Sequence, residues 1–271
     1  FNKSYDKAIN ELSQRQIIEK IDTRWIYSGL PRPETQVKLN NISEETVKVF
    51  HYSSLLETMD ITQAYREAHE GAILLHQSNP YRVKSLDVHH LEAQVEETNV
   101  GYYTEALKTI EISVNERIKE QNGGIKAGLG KVDVTEYYTE YKKMQREKII
   151  DRQPLHLPPL HFHSIGFWFT IPDFLVNQIR REGLDLAGGL HAIEHAMIAI
   201  SPLHAMCDPK DLGGVSTEHH RDTNEPTIFI YDGYMGGIGL SEKLFELLPE
   251  LLVTTLNLIQ GCKCVEGCPS C

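Results

Sequence analysis

Long apolar runs, a secretory leader and an excess of positive charge are all missing from this sequence. No stretch approaches the roughly 18 consecutive apolar residues of a membrane-spanning helix, so we expect no membrane contact. The chain begins at Phe1 without the charged segment and following apolar segment that form a signal peptide. The net charge of -11 argues against a broad basic face that binds duplex DNA by charge alone.

Cysteine is scarce until the end of the chain. Of five cysteines, Cys207 stands alone and the other four fall within the last ten residues. A secreted protein held by disulfides would spread its cysteines along the sequence, so we expect a reducing, cytoplasmic environment. Because the chain starts at Phe1 and stops on Cys271, we interpret it as a piece of a longer polypeptide.

The terminal cysteines predict a zinc site. They are Cys262, Cys264, Cys268 and Cys271, two close pairs on a short loop. Zinc prefers four soft, deprotonated ligands in a tetrahedron, and thiolates supply them. Four protein ligands leave no open coordination position, so we expect this Zn²⁺ to be structural. The alternatives are a disulfide between residues 262 and 268 or 264 and 271, thiols that cluster by coincidence and bind nothing, and an iron–sulfur cluster.

A second metal hypothesis comes from His191-Ala-Ile-Glu-His195, which matches the H-x-x-E-H pattern of one group of metallopeptidases. On a helix His191 and His195 share a face and can bind zinc, while Glu194 can activate water. Glu242 or Glu246 would then provide a third ligand. The surrounding helix is apolar, however, so two buried histidines hydrogen-bonded near a core glutamate are the simpler interpretation.

Two glycine-rich segments are similar to phosphate-binding loops without matching one. Residues 227–231 are strand-like and run through Asp232 into a glycine loop that enters a helix. This arrangement can bind anions, but its spacing fits no nucleotide motif, so a tight packing turn is favoured. Residues 128–131 fail as a P-loop because Ile125 and Val132 replace the residues that it requires. We therefore predict no nucleotide-triphosphate site in this chain.

The apolar pattern predicts a mixed α+β fold in three parts. Residues 1–30 form the tail of a preceding domain and a linker, and within them the stretch 7–28 is predicted as a helix followed by an extended segment at 24–27. Residues 31–153 form a strand-rich, partly barrel-like subdomain. Residues 154–271 form a mixed helical subdomain that the four-cysteine zinc site closes.

Within these parts the pattern predicts individual elements. A helical insert is expected near 57–69, and a long hairpin is expected around the turn at 121–124. Ser241 is a good N-cap for the last helix. The remaining helices and strands are predicted at 47–50, 72–75, 81–83, 93–95, 167–172, 173–181, 184–201, 227–231 and 241–259.

One local cluster of positive charge stands out against the acidic background. It comprises Lys142, Lys143, Arg146, Lys148 and Arg152, and we call it the basic strip. The basic strip is the best candidate for a DNA-facing surface, although such a run is more often a solvated helix face.

Taken together, the motifs resemble the C-terminal zinc-binding domain of mitomycin repair factor A-type DNA helicases. The resemblance covers residues from about 30 to 271. No single motif is specific for the family, but the motifs are specific in combination. These motifs are Gly71–His76, Tyr81–Val83, Tyr102–Thr104, His191–Ala196, Cys207-Asp208, Asp211–Ser216, Thr227–Gly233, Gly236–Leu240 and the terminal cysteines.

The resemblance implies a superfamily 2 parent helicase. Such a parent has two RecA-like ATPase domains and a winged helix, whose end residues 1–30 would form, before this domain. It would move 3′ to 5′ on single-stranded DNA by ATP hydrolysis and act in DNA repair. In the family the four terminal cysteines bind structural zinc. The sequence motifs of the helicase motor domains are missing from this chain, so we expect that the chain by itself has no enzymatic activity.

The expected function is therefore accessory. The chain would stabilise or gate single-stranded DNA on the motor domains of the same polypeptide, with the 104–150 hairpin and the basic strip lining the path. We expect a monomer whose own DNA binding is micromolar or weaker. The alternatives are a zinc metallopeptidase and a protein-interaction module without DNA contact. Salt-dependent binding to single strands would separate that module from the DNA-binding function.

Overall fold

In a computed structural model of the chain, residues 9–15, 17–21, 24–28, 46–146 and 148–264 are described. The chain divides into two compact units, Phe1–Glu44 and Glu45–Cys271. In the first unit, residues 9–14 are helical and β1 (Ile18–Ile21) pairs with β2 (Arg24–Tyr27). The extended segment at 24–27 was predicted, whereas β1 occupies residues predicted to continue the helix.

The described part of the second unit contains two β-sheets and five α-helices, which confirms the α+β class. Its strands are β3 (Thr46–His51), β4 (Ser54–Asp60), β5 (Ile73–His76), β6 (Asn79–Asp87), β7 (Glu92–Glu97), β8 (Tyr103–Gln121), β9 (Ala127–Gln145), β10 (Lys148–Pro154), β11 (Leu160–Thr170), β12 (Leu212–Thr217) and β13 (Thr227–Asp232). Its α-helices are α1 (Ile61–Glu67), α2 (Asp173–Arg181), α3 (Leu186–Ile200), α4 (Leu240–Glu246) and α5 (Leu248–Gly261). None of the described helices combines the length and apolar character needed to cross a bilayer.

The first sheet has five strands in the order β4-β3-β7-β6-β5 and curls as a half-barrel. The β3–β7 pair is parallel and the other pairs are antiparallel. Alternate residues such as Val47 and Val49 are buried, as expected for strands with one face on the core. The helical insert is shorter than predicted, because Asp60 ends β4 and its side chain caps α1 by accepting the Gln63 amide at 2.8 Å.

The second sheet is organised around β9. One edge of β9 pairs with β8 along most of its length, and the other edge pairs with β11 and then with β10. The order continues from β11 to β13 and β12. This arrangement confirms the predicted long hairpin, since β8 and β9 are antiparallel and meet at the turn after Gln121. The strand core at Phe167–Phe169 is fully buried, as its continuous apolar sequence indicated.

Helix α3 packs on β12 and β13, and α5 packs on α3. Two details of the prediction for the last helix are wrong. The helix expected at 241–259 is divided into α4 and α5, because Pro249 fits only the first turn of a helix and so begins a second one. The N-cap position of α4 is Gly239, at a φ of 92°, and Ser241 lies inside the helix. The three-part domain division stays a prediction; the second sheet takes strands from both sides of position 153.

Candidate functional site

The terminal cysteines follow directly after α5. The helix ends at Gly261, and Cys262 continues the chain in an extended conformation. The Cys262 and Cys264 side chains are exposed. Two accessible thiols one residue apart form a donor pair that suits zinc. Cys268 and Cys271 lie outside the described residues, so the four-cysteine site stays a prediction.

The basic strip lies on two strands and their connecting turn, so its interpretation as a helix face is wrong. Lys142 and Lys143 are on β9, and Lys148 and Arg152 are on β10. Arg146 sits in the turn between these strands with a φ of 46°.

The alternation of strand residues divides the basic strip between the two faces of the hairpin. Lys142 lies directly opposite Arg152, and Lys143 lies opposite Asp151. Adjacent residues of a strand point to opposite faces of a sheet. Lys142 and Arg152 therefore share one face, and Lys143 is on the other face.

Two of the five cations already have a carboxylate partner. Lys143 Nζ donates to Asp151 Oδ2 at 2.9 Å, and Arg152 Nη1 donates to Glu140 Oε1 at 2.7 Å. The hydrogen bond from Lys143 holds the pKa of Asp151 below its usual value. Within the described part of the chain, no ion pair involves the other three, Lys142, Arg146 and Lys148.

An exposed aromatic residue lies beside these unpaired cations. Tyr103 is directly opposite Met144, and Met144 is directly opposite Ile149, so the three side chains form a row across β8, β9 and β10. The exposed fraction is 50% for Tyr103 and 46% for Ile149. Sequence reasoning missed Tyr103 as a site residue; the tandem Tyr102-Tyr103 at the start of a strand was the available signal.

The glycine loop after β13 already contains an anion, the carboxylate of Asp232. Asp232 is fully buried and accepts the backbone amides of residues 238, 239, 240 and 241 at 2.6–3.2 Å. At Gly237, whose φ is 75°, a Cβ atom would lie 2.8 Å from Ile165 Cγ1. The loop is therefore a packing turn that the chain itself caps, which confirms the favoured interpretation.

The H-x-x-E-H segment lies on α3, where the glutamate is in the core as predicted but the prediction of two buried histidines is wrong. His191 and His195 are exposed, whereas Glu194 is buried. One ligand atom from each of the three residues lies within 4.8 Å of the others. Among the described residues, neither Glu242 nor Glu246 belongs to this group, so the third-ligand prediction is also wrong.

Strand β12 holds Glu194 in place. Ser216 Oγ donates a hydrogen bond to Glu194 Oε2 at 2.6 Å. At Gly214 the strand backbone approaches so closely that a Cβ atom would lie 2.6 Å from Glu194 Oε1. The three side chains on α3 face a cleft that β8 and β12 also line, with Glu105 on the β8 wall.

Comparison with known proteins relates the chain to ATP-dependent helicases. Residues 193–271 match the family described as the MrfA Zn-binding domain. The protein named uncharacterized ATP-dependent helicase YprA, from Bacillus subtilis strain 168, is 31% identical over 270 residues, which are 96% of this chain and 35% of YprA. The ATP-dependent helicase HRQ1 of Saccharomyces cerevisiae is 25% identical over 261 residues, 89% of this chain and 24% of HRQ1. Protein MJ1572.1 of Methanocaldococcus jannaschii is 41% identical over 85 residues, 30% of this chain and 76% of that protein.

Solved structures give the same relationship. A crystal structure of the DUF1998 helicase MrfA matches with a TM-score of 0.64 and 26% identity, over 97% of this chain and 38% of MrfA. The crystal structure of MrfA bound to DNA matches with a TM-score of 0.56 and 28% identity, over 98% of this chain and 36% of MrfA. The chain thus spans little more than a third of these helicases.

Proposed function

The chain belongs to the MrfA-type zinc-binding family of DUF1998 helicases, and from this premise we propose that it is an accessory part of an ATP-dependent 3′–5′ DNA helicase. In this proposal the chain has no catalytic activity of its own. It stabilises or gates single-stranded DNA on the motor domains of the same cytoplasmic polypeptide during DNA repair.

This proposal rests on one observation: Tyr103 and Lys142 lie on the same face of the sheet formed by β8, β9 and β10. Proteins that bind single strands without sequence preference combine cations for the phosphates with aromatic rings for the bases. Tyr103 supplies a half-exposed ring and Lys142 supplies a charge on this face, and no ion pair involves Lys142 in the described structure. Arg146 in the turn and Lys148, which is opposite Gln145 and therefore on the other face, add positive charge at the edge of the hairpin. Because only a few phosphates can be neutralised and the net charge is -11, the binding should be weak.

Structural zinc at Cys262, Cys264, Cys268 and Cys271 is the second element of the proposal. The first turns of α5 are anchored by buried Leu248 and Leu251, while apolar side chains further along, such as Leu256, are exposed. A closed zinc site directly after the helix would fix its free end. The exposed apolar side chains would then pack on other parts of the same polypeptide.

Fluorescence anisotropy with a labelled oligothymidylate tests the DNA contact. The variant K142A/R146A/K148A should bind more weakly than the parent chain, and its plot of log affinity against log salt should be shallower by about 2, given about 0.7 per lost phosphate contact. The matched control K48A/K210A/K243A removes three exposed cations elsewhere and should retain the parent slope. If the parent chain binds no single strand even at low salt, or if both triple variants behave alike, the DNA contact is wrong and a protein-interaction module is favoured.

A further inference from the structure

Four carboxylates are buried in the described structure, and three of them are well compensated. Asp60 caps α1, and Asp232 accepts five hydrogen bonds from the glycine loop and α4. Glu136 pairs with the ammonium group of Lys108 and accepts two tyrosine hydroxyls. These arrangements follow the rule that a buried charge is paired or fully hydrogen-bonded.

Glu194 is the exception. Its side chain is 7% exposed, and the hydrogen bond that it accepts comes from a neutral donor, Ser216 Oγ. Among the described contacts, no lysine or arginine pairs with it. The nearest group able to carry a positive charge is His191, whose Nδ1 lies 3.5 Å from Glu194 Oε2. An isolated carboxylate is strongly unfavourable inside a protein unless a cation compensates its charge.

We propose that His191, Glu194 and His195 form a metal site that binds a divalent ion of the zinc class. Their ligand atoms lie within 4.8 Å of one another. The two imidazole rings are stacked edge to face with centroids 4.3 Å apart, as the spacing of four residues on a helix dictates. Two imidazoles and one carboxylate are a ligand set that suits Zn²⁺ and neighbouring transition metals. The bound cation would supply the charge that Glu194 lacks.

The surroundings of the site are built to hold these ligands. Ser216 fixes one oxygen of Glu194, and the missing side chain at Gly214 leaves room for the other. Partners of this kind orient metal ligands and tune their affinity. Because Glu194 is itself one of the three ligands and is fixed by Ser216, it is not available as the free general base of a peptidase.

Three protein ligands leave at least one coordination position for an outside oxygen donor. That position faces the cleft between α3, β8 and β12. Glu105 on the cleft wall is the direct cross-strand partner of Lys142, so the cleft borders the sheet face proposed to meet DNA. The metal site itself does not depend on that proposal.

Metal stoichiometry tests the inference directly. The chain is stripped with a chelator and dialysed against micromolar Zn²⁺, and bound zinc is then measured by mass spectrometry. The variant H191A/H195A should bind about one equivalent less than the parent chain. The matched control H156A/H219A removes two exposed histidines elsewhere and should bind as much as the parent. The test compares the zinc content of each variant with that of the parent chain, so its result is valid whether or not the terminal cysteines also bind zinc.

Cobalt spectroscopy identifies which ligands are lost. In the Co²⁺-loaded chain, H191A/H195A should lose part of the visible d–d absorption and none of the thiolate charge-transfer absorption. The more conservative variant S216A, which removes only the hydrogen bond to Glu194, should weaken metal binding at this site by about tenfold. Both substituted histidines are exposed, so circular dichroism should show unchanged folding. Equal zinc content and equal cobalt spectra for the parent and H191A/H195A would overturn the proposal.

Discussion

Ser241 Oγ lies 2.6 Å from Asp232 Oδ1, and this contact joins the end of β13 to the first turn of α4. Four backbone amides converge on the same carboxylate. A side-chain anion therefore occupies the position that a phosphate takes in nucleotide-binding loops. The glycine loop contributes to the fold and leaves its amides no capacity for a ligand.

Substitution of Asp232 should therefore destabilise the protein severely. In D232N an amide group that is itself a donor would face the N–H groups of the loop, and at least one of them would remain buried without an acceptor. Loss of a charged acceptor with several bonds should lower the free energy of unfolding by about 3 kcal/mol or more. Urea unfolding measures this change. The control D185N alters an exposed residue whose side chain makes no cap hydrogen bond to α3, and a comparable loss there would contradict the explanation.

The elements that sequence predicted best are those with strong local signals. The β8–β9 hairpin combines β-branched and aromatic residues with an Asn-Gly-Gly turn, and β11 is continuously apolar through its buried part at Phe167–Phe169. Helix α2 was located at its observed bounds, directly after Pro172. In each case the nearest neighbours in sequence determine the structure.

The site was harder to predict because its properties depend on distant segments. Glu194 is buried only because β12, twenty residues later, approaches through Gly214 and Ser216. The same packing leaves both histidines outside, the reverse of what an apolar helix indicates. Likewise, the basic strip is divided by pairing between β9 and β10, a register that charge spacing along the sequence does not contain.

Two glycines near the histidine cluster should respond to alanine in opposite directions. At Gly214 a new Cβ atom would collide with Glu194 and Ile198, so G214A should be destabilised by about 1–3 kcal/mol. At Gly189, inside α3, a Cβ atom would meet nothing within 4 Å, so G189A should be stabilised by about 0.5–1 kcal/mol. Thermal unfolding of both variants provides the measurement. Stabilisation by G214A would show that β12 does not restrain Glu194.

Tyr103 should affect DNA binding differently from the cations. A stacked ring contributes about 1–3 kcal/mol per base and releases no counterions, so Y103A should weaken oligothymidylate binding without changing the salt slope. Y103F should bind like the parent chain, because the ring remains. The control Y52A removes a tyrosine that is 82% exposed in the turn between β3 and β4. If Y103A and Y52A bind equally well, Tyr103 does not contact the bases.

Tyr234 should make the stability of the folded protein depend on pH in the alkaline range. Burial, and then the hydrogen bond to Asp211 at 2.6 Å, raise the pKa of Tyr234 to about 12. Above the ordinary tyrosine pKa of about 10, the unfolded chain loses this proton while the folded chain keeps it, so stability falls as pH rises between these values. Y234F should show a shallower decline of the unfolding midpoint over this range, and Y52F should not. If the unfolding midpoints of Y234F and the parent chain declined in parallel, Tyr234 would be excluded as a source of the pH dependence.

Substitution of the terminal cysteines should remove a zinc ion that is bound independently of the histidines on α3. The variant C268S/C271S leaves Cys262 and Cys264 as a pair too small to hold zinc tightly, so it should contain about one zinc less than the parent chain. Cys207 is half-buried beside Asp208 and Asp211, and burial raises the pKa of its thiol, which makes C207S a control that should keep all its zinc. Loss of the ion should also free the end of α5, and faster amide hydrogen exchange near Leu256 would report it. Unchanged zinc in C268S/C271S would overturn the four-cysteine assignment, whereas loss of zinc without faster exchange would show that the ion does not restrain the helix.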